Sequence, residues 1–290
     1  MIRVKANAKI NLYLNILEKR KDNYHNISSI IQNIDLCDDI ILFKKKSGIK
    51  IICDDHNVPL GEDNLVYKSA KLLIKNFFEL KSLGVLILLK KRIPIASGLG
   101  GGSADAASTL IGINKLLNLN LSDNELLKMS SSIGSDVPFF LVGGTAIVEG
   151  RGEKITPLVP LIDIWVVLAK PDFQIITKDI YDEYDKIGKP CSHDISEFME
   201  YFGSEDLLKK FSILENSLEK IVEKKYKIIT VLKKRALESG ALASVMTGSG
   251  PTVVSLCEDF NSALRVYSKL SKEVDEVYVV KTCSKGFEII

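Results

Sequence analysis

From residue 3 to residue 17 apolar and polar positions alternate without a break. Val4, Ala6, Ala8, Ile10, Leu12, Leu14 and Ile16 fall on one side, and Lys5, Asn7, Lys9, Asn11, Tyr13 and Asn15 on the other. A period of two predicts a half-buried strand. Its polar face is unusual, because asparagine is depleted in strands. Such a face is either solvated or looks into a cleft. A polar turn over residues 18–26 follows. Apolar segments over 27–42, interrupted by Asp35, Asp38 and Asp39, and over 49–53 predict further strands of the same sheet. Asp63 and Asn64 precede an amphipathic helix over 65–77, which either can cap. The run 85–89 predicts a strand, and the alanine-rich stretch 104–117 a helix. Ser122 and Glu125 stand at capping-box spacing for the next helix, which ends near Ile133 and Gly134. Pro138 suits the start of a short helix. Residues 145–149 read as a strand, and Gly150-Arg151-Gly152 as a turn.

Pro157 and Pro160 mark a boundary between residues 1–157 and 158–290. Beyond it the pattern predicts a strand over 164–169, lysine- and glutamate-rich helical material over 182–234, and a helix over 230–238 stopped by Gly240. Strands over 243–246 and 253–257 flank a Thr247-Gly248-Ser249-Gly250-Pro251-Thr252 turn. A helix over 259–271 and a strand over 276–281 close the chain. The alternation is that of an α+β protein.

Composition narrows the classes. Of 290 residues 46% are hydrophobic and 26% charged, as in a soluble globular protein, and a net charge of +2 gives no nucleic-acid tail. Lys44-Lys45-Lys46 and Lys90-Lys91-Arg92 read as solvated strand ends. The five cysteines form no Cys-x-x-Cys pair, which predicts reduced thiols in a reducing compartment. The three histidines show no metal-ligand spacing. No targeting segment and no apolar run of membrane-spanning length is visible, so the expectation is a cytoplasmic protein with no nucleic-acid or membrane partner.

The chemistry concentrates in Pro94-Ile95-Ala96-Ser97-Gly98-Leu99-Gly100-Gly101-Gly102-Ser103-Ala104. These glycines lie where a strand gives way to a helix. The first helical N–H groups lack intrahelical acceptors and sit at the positive end of the macrodipole, which suits an anion. Glycine lets the backbone approach a phosphate closely. Ser103 is placed to cap the helix, and Asp105 to occupy its first turn. A linker or a close helix–sheet contact is the bland alternative. Other phosphate loops fit worse. No Gly-Lys follows as the Walker A pattern requires, and Ser103 stands where the dinucleotide fingerprint needs Gly or Ala. Protein-kinase signatures are absent.

The stretch resembles the second motif of the GHMP kinases, the galacto-, homoserine, mevalonate and phosphomevalonate kinase superfamily. Its Gly-Leu-Gly-Gly-Gly-Ser-x-Asp-Ala-Ala form is similar to the branch acting on 4-diphosphocytidyl-2-C-methyl-D-erythritol in the methylerythritol phosphate route to isoprenoids. Other segments fit in order. Ala8-Lys9-Ile10-Asn11-Leu12 resembles the first motif, whose lysine lies beside the substrate hydroxyl. Tyr24-His25 matches the branch's cytosine-binding pair, with Asn23 where glycine is usual; read alone it is a surface turn. Ser135-Asp136-Val137-Pro138 resembles the Ala-Asp-Val-Pro segment whose Asp is the proposed base. Thr247-Gly248-Ser249-Gly250-Pro251 resembles the third motif, near substrate and phosphates.

The resemblance implies a two-domain α+β fold, with an N-terminal domain like ribosomal protein S5 domain 2 and a ferredoxin-like C-terminal domain. It implies ATP and Mg²⁺ as cofactors, Lys9 and Asp136 as catalytic residues, and the stretch Pro94 to Ala104 with Asn64 around the nucleotide. Asn11, Tyr24, His25, Thr177, Tyr181, Gly248 and Ser249 would face a small-molecule cytidyl substrate, with the chain a monomer or weak homodimer. Alternatives are a GHMP kinase for a mevalonate- or homoserine-like alcohol, and a non-catalytic nucleotide-binding relative.

Overall fold

A computed structural model describes residues 1–77, 83–187, 189–202 and 211–290. The alternating segment forms β1 (Ile2–Lys19), and the polar turn reverses it into β2 (His25–Lys45). Asn23 makes that turn at φ 66°, a left-handed conformation that asparagine tolerates better than most residues. β2 does not break at its aspartates. Asp39 is neutralised by Arg3 at 2.8 Å and Arg92 at 3.3 Å, so the strand carries it at little cost. Being long, β2 serves three partners. It pairs with β1 throughout, with β5 (Thr145–Gly150) over its first part and with β4 (Gly84–Lys90) over its last. β3 (Gly48–Cys53) lies parallel to β4, and β6 (Lys154–Leu158) pairs with β5.

Four helices cover this sheet: α1 (Leu65–Phe77), α2 (Gly101–Leu117), α3 (Asp123–Ser130) and α4 (Val137–Val142). The capping box of Ser122 and Glu125 heads α3. α2 lies flat on β1 and β2 because Gly112 faces them; a Cβ there would fall 2.1 Å from Leu42 Cδ1. Leu42, Ile87, Leu73, Leu110, Ile113 and Phe140 fill the layer between sheet and helices.

The second sheet is antiparallel in the order β11 (Glu276–Lys281), β7 (Trp165–Lys170), β10 (Val253–Cys257), β9 (Ala243–Met246). Numbered within this half, the order is 4-1-3-2, the ferredoxin-like arrangement. Along the chain between β7 and β9 lie α5 (Thr177–Ile187), α6 (Ile195–Phe202), the short β8 (Glu215–Asn216), α7 (Glu219–Lys225) and α8 (Ile228–Glu238). The stretch 182–234 is therefore not wholly helical, since β8 interrupts it; its residues 188 and 203–210 lie outside the described residues. α9 (Phe260–Leu270) starts with Asp259 as its cap. β8 and β12 (Phe287–Ile289) both leave this half of the chain and pair with β1. No helix among the described residues is long and apolar enough to cross a membrane.

β1 is not half-buried. From Ala8 to Ile16 both of its faces are buried, Lys9, Asn11, Tyr13 and Asn15 included. The second half of the chain packs on the apolar face of this stretch and reaches Tyr13 and Asn15 on the polar face, where Gly100 of the first half lies against Lys9. Ala8, Ile10 and Leu12 pack with Val166, Leu168 and Phe198 of that half, and the Tyr13 hydroxyl donates to the His193 carbonyl at 2.7 Å.

Lys91 also departs from expectation. It is not a solvated strand end but turns inward, where its ammonium pairs with Asp38 and, at 2.7 Å, with Asp105. Asp38 Oδ1 also accepts from the backbone N–H of Arg92 at 2.5 Å and Ile93 at 2.9 Å. Asp105 lies past the first turn of α2, with Oδ1 unpartnered. Burial pushes the Asp105 carboxyl up against the pull of Lys91. Burial opposes the Lys91 cation as well, but Asp105 and Asp38 prevail and push it up to about 12.

One cation thus balances two buried carboxylates. Lys91→Met strands both carboxylates and should cost about 3–5 kcal/mol. Asp105→Asn keeps an acceptor for Lys91 and removes a like charge, so it should stay within about 1 kcal/mol of the parent. Urea denaturation measures both; an Asp105→Asn loss as large as that of Lys91→Met would contradict this balance.

Candidate active site

Between β4 and α2 the chain makes a tight loop with Gly98 at φ 80° and Gly100 at φ 74°. The helix begins at Gly101, earlier than the composition of residues 104–117 implied. Left-handed Gly100 turns the chain directly into the helix and serves as its cap, with no side-chain bond. Ser103 is therefore inside the first turn and does not cap. The N–H groups of Ser103 and Ala104 bond the Gly100 carbonyl at 3.0 and 2.9 Å. Those of Gly101 and Gly102 find no protein acceptor among the described residues. Two free donors at the positive end of a 17-residue helix can bind a phosphoryl oxygen.

β1 holds this loop in place. Its edge away from β2 pairs with β12 at Val4–Ala6 and with β8 at Tyr13–Leu14. Between them the Lys9 N–H donates to the Leu99 carbonyl at 3.0 Å, and the Asn11 N–H to Thr247 Oγ1 at 2.9 Å. The two glycine turns thus close on one stretch of strand and on each other. A Cβ on Gly98 would fall 2.5 Å from the Thr247 carbonyl oxygen, and one on Gly100 2.9 Å from Lys9 Cγ.

The Lys9 side chain lies between these turns. Its ammonium donates to Asn11 Oδ1 at 2.6 Å and stands 3.7 Å from Asp136 Oδ2. Asn11 is oriented by its amide, which donates to Ser29 Oγ at 2.9 Å. Burial lowers the Lys9 pKa, and Asp136 works against that. Asp136 occupies the cap position of α4, with proline following, but its side chain makes no cap bond. The carboxylate turns to Lys9 instead.

The other end of the cleft is aromatic. Tyr181 lies 5.3 Å from the His25 ring, centroid to centroid, and burial pushes its phenol up. His25 Nε2 hydrogen-bonds Asp185 Oδ1 at 2.6 Å, and Asp185 also pairs with Lys19. Tyr24 is half exposed, and the Arg151 guanidinium sits over its ring at 3.8 Å. Thr177 and Tyr181, one turn apart on α5, both face the cleft; Thr177 Oγ1 hydrogen-bonds Ser249 Oγ at 2.9 Å.

One cavity of about 920 Å³ contains both ends. Its lining includes Lys9, Asn11, Tyr24, His25, Ala96, Gly98, Gly100, Asp136, Thr177, Tyr181, Gly248 and Ser249. The remaining residues of the glycine stretch lie outside that lining. Ser97 is buried and donates to the Pro94 carbonyl at 2.6 Å, and Leu99 and Ala104 are core. Pro94 and Ile95 lead into the loop, and Gly101, Gly102 and Ser103 form the helix start. Asn64 caps α1: Oδ1 accepts from the Val66 N–H at 2.8 Å, and its amide donates to the Pro59 carbonyl at 2.6 Å.

The cleft also holds residues that periodicity did not single out. Arg151, Lys19, Lys178 and Asp182 line it. For Arg151 the available signal was a lone cation between two glycines. No cluster of three or more His, Cys, Asp or Glu side chains able to hold a metal occurs among the described residues.

Residues 64–144 match the family model of the GHMP kinases N terminal domain, and residues 191–276 that of the GHMP kinases C terminal. The chain is 43% identical over 289 residues to a 4-diphosphocytidyl-2-C-methyl-D-erythritol kinase of Caldanaerobacter subterraneus subsp. tengcongensis, covering 100% of this chain and 99% of the relative. A protein of the same name from Clostridium tetani is 42% identical, covering 97% of this chain and 100% of the relative. Among solved structures, a 4-(cytidine 5'-diphospho)-2C-methyl-D-erythritol kinase superposes with a TM-score of 0.80 at 28% identity, over 97% of this chain and 98% of that one. A homoserine kinase from Cytophaga hutchinsonii shares the fold, with a TM-score of 0.77 at 21% identity, over 100% of this chain and 97% of that one.

The loop contacts predict a contrast between glycines. At Gly98 a methyl group meets both a positive φ and the Thr247 carbonyl, whereas at Gly102 the nearest atom is Leu65 Cδ1 at 4.0 Å. Gly98→Ala should destabilise by about 1–3 kcal/mol, and Gly102→Ala by under about 0.5 kcal/mol. Thermal denaturation checks this; equal losses would mean that the loop does not rest on the Thr247–Thr252 turn.

Proposed function

We propose that this chain, which belongs to the GHMP kinases, transfers the γ-phosphoryl group of ATP to the 2-hydroxyl of 4-diphosphocytidyl-2-C-methyl-D-erythritol. The product would be its 2-phosphate, on the route to isoprenoid precursors. The observation that carries this reading is the single cavity with Lys9 and Asp136 at one end and Tyr24, His25 and Tyr181 at the other. Relatives 43% identical over the whole chain carry the same name.

Phosphoryl transfer asks the protein for positioning and charge stabilisation more than covalent work. The substrate hydroxyl oxygen bonds the γ-phosphorus as the bond to the bridging oxygen of ADP breaks, and the hydroxyl proton passes to Asp136. Lys9, already desolvated and aimed by Asn11, stabilises charge developing on the transferring group. The free N–H groups of Gly101 and Gly102 receive phosphoryl oxygens of the nucleotide. Magnesium, where bound, would supply charge neutralisation at the phosphates, with the Ser103 hydroxyl in the first turn of α2 among the groups that would hold it.

At the far end a cytosine ring finds aromatic faces on Tyr24 and Tyr181 and a hydrogen-bonding edge on His25. The five cysteines are free, which fits the reducing cytoplasm.

Coupled ADP release with ATP, Mg²⁺ and the cytidyl alcohol, run beside mevalonate and homoserine, tests the substrate; turnover confined to another alcohol would refute the cytidyl reading. Asp136→Ala should retain ATP binding while turnover falls by about 10²- to 10⁴-fold. Near-normal turnover would remove Asp136 as the base. Tyr24→Ala, losing a stacking face, should raise KM for the cytidyl alcohol about 5- to 100-fold with KM for ATP unchanged, as steady-state kinetics would show.

A further inference from the structure

The Thr247–Thr252 glycine turn is gripped from behind by residues that no motif covers. Asn216 is buried on β8 and gives its amide to two carbonyls, Met246 at 2.6 Å and Gly248 at 2.8 Å. Its own Oδ1 accepts from the Leu218 N–H at 2.9 Å, so the side chain cannot rotate away. Glu219, a few residues on, accepts from the Met246 N–H at 2.6 Å and is itself paired with Lys233.

The grip on the Gly248 carbonyl has a consequence through peptide geometry. In a trans peptide the C=O and the following N–H point in opposite directions. With the Gly248 oxygen held toward Asn216, the Ser249 N–H points away from Asn216. Gly248 and Ser249 both line the cleft, so away from Asn216 is into it. No acceptor among the described residues takes that N–H. The peptide abuts the reacting end, because a Cβ on Gly248 would lie 3.6 Å from Lys9 Nζ. A backbone donor with no protein acceptor, beside an ammonium and across from the start of α2, fits one ligand chemistry: an anionic phosphoryl oxygen.

We infer that Asn216 is a positioning residue that fixes the 248–249 peptide with its N–H in the cleft, where it binds a phosphoryl oxygen. This rests on the kinase reading above and extends it to a residue outside the cleft. Two sources could supply the oxygen: the nucleotide phosphates or the diphosphate of the cytidyl substrate. Asn216→Asp keeps the acceptor for Leu218 but cannot donate to either carbonyl and repels both, which frees the peptide to turn over.

Calorimetry on the full chain separates the cases. Affinities for ADP and adenosine, and for CDP and cytidine, give two ratios that report the phosphate contribution alone. In Asn216→Asp one ratio should fall about tenfold or more, with nucleoside affinities within about twofold of the parent. A fall in the CDP ratio assigns the donor to the substrate diphosphate, and a fall in the ADP ratio to the nucleotide. A merely structural role for Asn216 would weaken nucleoside and nucleotide alike. That result, or two unchanged ratios, overturns the inference while leaving the kinase reading intact. If the parent binds ADP but neither CDP nor cytidine, the cytidyl reading falls, and the ADP ratio still decides the role of Asn216. The unmodified chain labelled with ¹⁵N-serine gives a readout that needs no variant. The Ser249 amide proton should move downfield with ADP or CDP and not with the nucleosides; if it moves with neither diphosphate, the inference fails.

Discussion

The cleft depends on an unfilled stretch of one strand edge. β1 pairs with β12 near its start and with β8 further on, and the backbone amides of Lys9 and Asn11 between them have no strand to bond. A buried N–H left unpaired costs about as much as a lost hydrogen bond. The glycine loop and the Thr247–Thr252 turn meet that demand through the Leu99 carbonyl and the Thr247 hydroxyl. Because those two amides are two residues apart, the turns are brought into contact, and only glycine at position 98 leaves room for the Thr247 carbonyl. The side chain rooted between them is Lys9. Strand, loops and cation are thus one arrangement.

Charge is handled differently on the two sides of the glycine loop. Behind it, Lys91 is saturated by Asp38 and Asp105 and ties the strand-to-helix connection to β2. In front of it, Lys9 is left with one neutral acceptor at 2.6 Å and one carboxylate at 3.7 Å. A buried cation held so loosely can turn its field on a ligand, whereas Lys91 cannot. Donors already oriented in a site shielded from water need no reorganisation when charge develops. The cost is carried as buried polar groups that a purely structural core would not contain.

The two ends of the cavity come from different parts of the fold. The reacting end is built from β1, the glycine loop and the start of α4. The aromatic end combines the β1–β2 turn with α5 of the second half, and Arg151 covers a face of Tyr24 from the β5–β6 turn. A division of this kind lets one end of a cleft change while the rest of the fold is kept.

Much of this was legible in the chain. The period-two pattern gave β1, the Ser122–Glu125 spacing gave α3, and the glycine cluster was read between a strand and a helix, where it lies. Each of these signals is local, because backbone preference and capping act within a few residues. The failures are not local. β1 read as half-buried because its covering layer lies more than 150 residues away. Lys91 read as solvated because its partner Asp38 lies 53 residues distant. Asp105 read as an anion at a helix start because nothing nearby in sequence named its lysine. Asn64 read as a helix cap from its place before the helix, and it does cap α1. Asn216 gave no signal at all, since a lone asparagine in a charged segment carries none. Chain pattern carried most of the elements, their order and the residues with chemistry to offer. Only the tertiary structure decided which of them meet, because burial and charge pairing depend on distance in space, which chain spacing does not encode.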